Sequence, residues 1–323
     1  MNKISIIGAG RVGETAAYII AQQEMCSEVV LLDIREGAAA GAALDISQSA
    51  SYFGFDTRVT GGTDPALLKD SELIVITAGS PRKPGMSRSD VLDINRAVID
   101  NLVDEILKHA PDSLLLLVTN PVDVLTWHAW KRTGWERGRI FGQAGVLDAS
   151  RMATFMAEET GLSTKDIHAL VIGGHGDSMV PLTRFSTING APATAFLGDA
   201  AIERINERTR HGGAEVLALR QVSSAYTGPA AAIATMVDAI CHDRRRILPC
   251  VCNLDGEYGQ TDITVGVPAI LGRNGIEKIV EIIHQFRALP SREILQELYQ
   301  SVDEFTGAQP QADDLTGILV KVS

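Results

Sequence analysis

The sequence lacks any run of 18 or more apolar residues, so neither a membrane-crossing helix nor a membrane partner is expected. Positive charge is also scarce. Lys and Arg number 29 against 40 Asp and Glu, a net charge of −11, which argues against a nucleic-acid partner held on a basic surface. The one dense basic cluster, Arg244-Arg245-Arg246, reads as a solvated helix end beside a strand. Cysteine is rare and unpatterned. Cys26, Cys241, Cys250 and Cys252 form no CxxC pair, which suits a reducing compartment, and Cys250 and Cys252 share one face of an apolar strand as core residues. Residues 1–7 lack the apolar stretch and small-residue cleavage site of a signal peptide, so the expected location is cytoplasmic. No internal repeat is present. The acidic excess also repels an anionic substrate at long range, so a site for one must gather its own arginines.

What is present divides in two. Over the first 120 residues, apolar runs at 4–7, 29–32, 73–77 and 114–119 lack in/out alternation, as do strands of a parallel sheet covered on both faces. Helical patterns lie between them. Val91, Ile94, Val98, Leu102 and Ile106 recur at steps of three and four, and Pro111 follows. Strand–helix alternation predicts an α/β fold with a doubly wound parallel Rossmann sheet. After about residue 145 the pattern becomes mixed. Helices are predicted at 150–160, 200–218, 229–242, 276–287 and 291–301, and strands at 169–172, 247–252 and 262–268, with a hairpin turn at Gly256 and Gly259. We therefore expect a dinucleotide-binding domain over residues 1–145 and a mixed α+β domain over 146–323, with 302–323 a weakly held tail.

Gly8-Ala9-Gly10-Arg11-Val12-Gly13 joins the first strand to a helix. Gly8 permits the tight turn, Gly10 lets backbone approach a pyrophosphate, and Gly13 lets helix and strand pack closely, while the helix N-terminus offers free N–H groups to phosphate. The second strand ends in Asp33, 20 residues past Gly13, where a carboxylate can accept ribose hydroxyls and repel a 2′-phosphate. NAD is the expected cofactor.

Gly174-His175-Gly176 follows the strand at 169–172. A histidine exposed at a strand end suits proton exchange with a hydroxyl or carbonyl oxygen, and needs a carboxylate to fix its tautomer. Asp148 is a candidate partner. Arg151 lies three residues on, at the same helix start, and can grip a carboxylate. The other six histidines read as helix-face or packing residues. Arg82 and Arg88 bracket Pro84-Gly85 in a loop after the strand at 73–77, which suits a lid that excludes water. Asn120 ends the next parallel strand, where ligands of open α/β sheets bind.

Together these segments resemble the lactate/malate dehydrogenase family to about residue 300. The motifs are Gly-Ala-Gly-x-Val-Gly, the Thr-Ala-Gly loop, Val-Thr-Asn-Pro-Val, Leu-Asp-x-x-Arg and Gly-His-Gly-Asp-Ser-Met-Val-Pro, in the family's order. The resemblance implies NAD-dependent hydride transfer on a 2-hydroxy acid, with His175 as proton acceptor and donor and Asp148 as its orienting carboxylate. It implies that Arg151 binds the C1 carboxylate, that Arg88 polarises the reacting carbonyl, and that Asn95, Val118, Thr119 and Asn120 contact the cofactor, Asn120 also lying near the substrate. It implies no metal. Arg82 sits where lactate-type members typically carry glutamine and malate-type members arginine, so a dicarboxylate, malate or oxaloacetate, is the expected substrate, with lactate or another 2-hydroxy acid as the alternative. Pyruvate would leave this cation buried and unpaired at about 3–5 kcal/mol, enough for a discrimination of about 10² or more. The family further implies a homo-oligomer, a tetramer rather than a dimer. The chain departs from the family at Thr227-Gly228, where Tyr-Ala is more common, and in its long tail.

Overall fold

The computed structural model describes residues 1–80, 88–176 and 178–281. The elements run β1 (Lys3–Ile7), α1 (Arg11–Gln22), β2 (Glu28–Leu32), α2 (Ala38–Phe53), β3 (Arg58–Gly62), β4 (Leu73–Ile76), α3 (Arg88–His109), β5 (Leu114–Leu117), α4 (Val122–Thr133), β6 (Ile140–Gln143) and α5 (Gly145–Thr160). There follow β7 (Ile167–His168), β8 (Val171–Gly173), β9 (Met179–Pro181), β10 (Thr187–Ile188), β11 (Ala191–Pro192), α6 (Asp199–Arg220), α7 (Thr227–Cys241), β12 (Arg246–Asp255), β13 (Thr261–Gly272) and β14 (Gly275–Ile279).

The six strands of the first half are all parallel, in the order β3-β2-β1-β4-β5-β6. This is the doubly wound arrangement, in which the order reverses beside β1 and opens a crevice at the strands' carboxyl ends. Apolar runs form these strands because helices cover both faces. Ile4, Ile6, Leu31 and Val75 face a core shared with α1, α2 and α7, whereas Ile74, Ile76, Leu115 and Leu117 face a second core under α3 and α4. Each such fully buried side chain stabilises the fold by roughly 1.5–3 kcal/mol.

The second half continues the same sheet. β12 pairs antiparallel with β6, β13 with β12, and β8, β9 and β14 follow. A small sheet, β11-β10-β7, sits over a third core made by Met152, Met156, Ile188 and Ile205 beneath α5 and α6. Helix α7 opens on Thr227-Gly228-Pro229, where proline in the first turn is pre-set for helix. Its Ala230, Ile233 and Val237 are buried, and it packs on α1.

The helix expected at 276–287 is corrected over its described part, while residues 282–287 lie outside the described residues. Residues 275–279 are strand β14, paired with β13 through Leu271↔Ile276 and Gly272↔Gly275. Ile276 and Ile279 are three apart, which a helix face satisfies, but the Arg273-Asn274 turn between two glycines folds the chain back as a hairpin. The helix expected at 291–301 and the tail at 302–323 lie outside the described residues.

Candidate active site

The glycine turn is built by the absence of side chains. Gly8 has φ +108°, and a Cβ there would stand 2.6 Å from the Ala78 nitrogen. A Cβ on Gly13 would collide with the Gly8 carbonyl oxygen. Gly10 differs, since among the described residues a Cβ there would meet nothing within 4 Å, which leaves room for a ligand. Thr77 Oγ1 donates to the carbonyls of Ile7 and Gly8 and fixes the turn against β4. Arg11 and Val12 open α1; Arg11 is exposed and lies over the Tyr226 ring, at 5.4 Å, joining the turn to the segment before α7.

Asp33 follows β2. Its Oδ2 accepts the Ala9 N–H at 2.8 Å, so the carboxylate leans over the turn. The Arg35 guanidinium also grips it, at 3.0 and 3.1 Å. Burial pushes the Asp33 carboxyl up, but the hydrogen bonds from Arg35 and Ala9 outweigh it and hold the group below the usual carboxylate range. An open glycine step at a helix N-terminus beside an ionised carboxylate fits a dinucleotide with free ribose hydroxyls. Arg35 was not singled out from the sequence, since a cation two residues after an acid is ordinary surface chemistry.

On the neighbouring strand ends, Asn95 is 2% exposed. Its Oδ1 accepts the Ser80 N–H at 2.7 Å and its Nδ2 donates to the Asn120 carbonyl at 2.7 Å. It thus ties the end of β4 to the end of β5. Thr119 Oγ1 does the same from the other side, donating to the Ala78 carbonyl at 2.7 Å. Val118 is half-buried and Asn120 exposed.

The imidazole site is built from buried charge. Asp148, 1% exposed, sits in the first turn of α5. One of its oxygens accepts from Arg151 Nη1 and the other meets His175 Nδ1, both at 2.9 Å. The carboxylate can only accept, so Nδ1 carries a proton and Nε2 is the nitrogen turned to a reactant. Burial opposes the charged imidazole, but the hydrogen bond and charge of Asp148 prevail and raise the His175 pKa above its ordinary value; Arg151 opposes this and Asp123 adds to it. The Arg151 guanidinium lies against Gly212 and Gly213 of α6, where a Cβ on Gly213 would come within 3.5 Å of it. Paired glycines inside a helix were the sequence signal for this bed, and it went unread.

The structure therefore brings Asp148, Arg151 and His175 together, and separately Gly8 to Gly13 with Asp33. Arg82 lies outside the described residues, as do the lid around it and the side chain of Arg88, whose backbone opens α3. Of the other histidines, His128 pairs with Asp100, His109 with Glu105 and His211 with Glu207, all on helices, and His242, just past α7, with Asp238.

The chain was compared with known proteins. Residues 2–142 match the lactate/malate dehydrogenase NAD binding domain, and residues 145–306 match the lactate/malate dehydrogenase alpha/beta C-terminal domain. A malate dehydrogenase of Thioalkalivibrio sulfidiphilus is 67% identical over 282 residues, covering 87% of this chain and 92% of the relative. The apo malate dehydrogenase of Picrophilus torridus superposes with a TM-score of 0.86 at 38% identity, over 94% of this chain and 95% of that one. A Cryptosporidium parvum lactate dehydrogenase solved with lactic acid and NAD superposes with a TM-score of 0.84 at 36% identity, over 94% of this chain and 96% of that one. Residues 2–142 are thus an NAD-binding domain, and the chain belongs to the lactate/malate dehydrogenase family.

Proposed function

We propose that the protein catalyses the reversible NAD-dependent oxidation of (S)-malate to oxaloacetate. The observation that carries the reading is the chain Arg151–Asp148–His175, a carboxylate anchor and a tautomer-fixed imidazole on one helix start and one strand end. Gly8 to Gly13, Asp33 and the joined ends of β4 and β5 at Asn95, Val118, Thr119 and Asn120 hold the cofactor, whose nicotinamide supplies the hydride acceptor when bound. Arg151 takes the C1 carboxylate and Arg82 the far one. His175 Nε2 removes the proton of the C2 hydroxyl as the C2 hydride would pass to the nicotinamide, and Asp148 stabilises the imidazolium that forms. In the reverse direction that imidazolium returns its proton to the carbonyl oxygen, which Arg88 polarises and Asn120 flanks.

The test is turnover of NADH with oxaloacetate and with pyruvate. Oxaloacetate should be preferred by about 10² or more in kcat/KM. A pyruvate preference overturns the substrate. Arg82→Gln should erase the preference, and an unchanged ratio removes Arg82 from its role.

A homotetramer in the cytoplasm completes the proposal. Exposed Leu44, Tyr52 and Phe53 on α2 support self-association, and four free, buried cysteines suit a reducing compartment. A monomeric mass in solution would remove the first.

A further inference from the structure

His175 stands in a turn with little stiffness of its own. Gly173 and Gly176 have φ of +85° and +118°, and Gly174 lies between Gly173 and the imidazole. Something outside the turn must hold it. Asp148 holds the ring. The backbone is held by Asp123, whose Oδ2 accepts the His175 N–H at 2.9 Å from the first turn of α4. Its other oxygen, Oδ1, is buried with no hydrogen-bond partner, and so is Thr126 Oγ1 one turn further along the same helix. A buried carboxylate oxygen left unpaired is unfavourable unless the charge is used. Burial, with the nearby charge of Asp148, pushes the Asp123 carboxyl up, while the His175 N–H, the charge of a protonated imidazole and the N-terminus of α4 favour its ionised form.

Among the described residues, three charged groups face the imidazole. Helix α5 presents Asp148 and Arg151, and α4 presents Asp123. Asp177, two residues on in the sequence, lies outside the described residues. With a neutral imidazole these three partners leave one net negative charge, and proton uptake by His175 cancels it. The second carboxylate tips that balance, because Asp148 is already offset by Arg151.

We propose that Asp123 is a positioning residue for His175, anchoring the backbone of the glycine turn and supplying a second negative charge to the imidazole. Asp123 lies three residues past Asn120, in Asn120-Pro121-Val122-Asp123, so it ties the end of β5 to the proton-transferring turn. The assignment rests on the dehydrogenase reading above. Its place in the pH response has the same sign, since the charge of Asp123 adds to that of Asp148 in raising the His175 pKa.

Asp123→Asn and Asp123→Ala separate the two parts. Asparagine keeps an acceptor for the His175 N–H and removes the charge. Diethyl pyrocarbonate acylates only neutral imidazole, so the pH dependence of acylation at the His175 peptide, read by mass spectrometry, reports its protonation without turnover. In Asp123→Asn the acylation midpoint should fall by roughly half a pH unit or more, and the acid limb of malate oxidation should move with it. Its plateau kcat should stay within about threefold of the parent, whereas Asp123→Ala should lose about tenfold or more in kcat with little change in KM for NAD. An unmoved midpoint in Asp123→Asn, or parental kcat in a folded Asp123→Ala, overturns the proposal; if Asp123→Ala does not fold, the asparagine midpoint decides. A parent enzyme inert toward malate would sink the functional reading while leaving the acylation test intact.

Discussion

The two halves of the candidate site are made by opposite means. The phosphate turn works by leaving atoms out: Gly8 and Gly13 admit close backbone contact, and Gly10 leaves a gap. The imidazole site works by packing charges in, with Asp148, Arg151, His175 and Asp123 linked through hydrogen bonds of 2.9 Å. Steric construction has no titratable element, so it should be indifferent to pH and sensitive to a single added methyl group. Electrostatic construction should show the reverse. Asp33 brings a carboxylate to the first half, and Arg35 already neutralises it.

The largest effect should fall on the charged half. His175→Asn removes the atom proposed to exchange the proton, and general acid–base catalysis of this kind contributes about 10²–10⁴-fold. Steady-state malate oxidation should fall by that order while NADH binding, followed by fluorescence, holds. Asp148→Asn should fall nearly as far, because an amide can present N–H to Nδ1 and favour the wrong tautomer. The sign of the pH response follows from the raised His175 pKa. Malate oxidation needs the neutral imidazole, so it should fail as pH drops through a value above the ordinary histidine one. Oxaloacetate reduction needs the protonated form and should fail as pH rises through it. Oxidation retained at full rate below pH 6 would break the assignment of roles.

Methyl groups probe the other half. Gly13→Ala drives a Cβ into the Gly8 carbonyl, so the turn must move, at about 1–3 kcal/mol of stability. Gly10→Ala meets nothing in the protein and should melt at the parental temperature, yet lose about tenfold in NAD affinity by calorimetry if the pyrophosphate approaches there. Equal affinity for both glycine variants and the parent would mean that the phosphates lie elsewhere. Neither variant should move the pH midpoint of turnover.

The same contrast explains what could be read without coordinates. Strands β1, β2, β4 and β5 were legible because burial on both faces leaves a continuous apolar run, Leu114–Leu117 being four leucines. β3, Arg58-Val-Thr-Gly-Gly, was not, because an edge strand buries one side chain and needs no such run. β14 was misread because Ile276 and Ile279 are three apart, a helical step that a strand carries only with the irregularity at Ile270/Leu271. Within the site, the glycine motif is local in sequence and announces itself. Asp148 and His175 are 27 residues apart, and they were paired because proton transfer demands a carboxylate and because the Leu-Asp-x-x-Arg motif resembles the family's. Asp123 lies 52 residues from His175 and bonds its backbone, a contact that no side-chain pattern encodes.

The smallest effect is a control on charge itself. At the β12–β13 turn, far along the chain from His175, Arg137 grips Glu257 through two hydrogen bonds of 2.7 and 2.8 Å. Those bonds hold the Glu257 carboxyl at about 2, against an ordinary 4.5. A depressed carboxyl stabilises the fold above its unfolded pKa and loses that contribution as pH falls through its folded one. Glu257→Gln should therefore lower stability by about 1 kcal/mol at neutral pH, the half-exposed arginine limiting the effect. The gap between variant and parent, read from thermal unfolding, should close between about pH 4.5 and pH 2. The pH profile of turnover should not move at all. If it did, pH sensitivity would belong to the fold as a whole, and the division between a steric and an electrostatic half would fail.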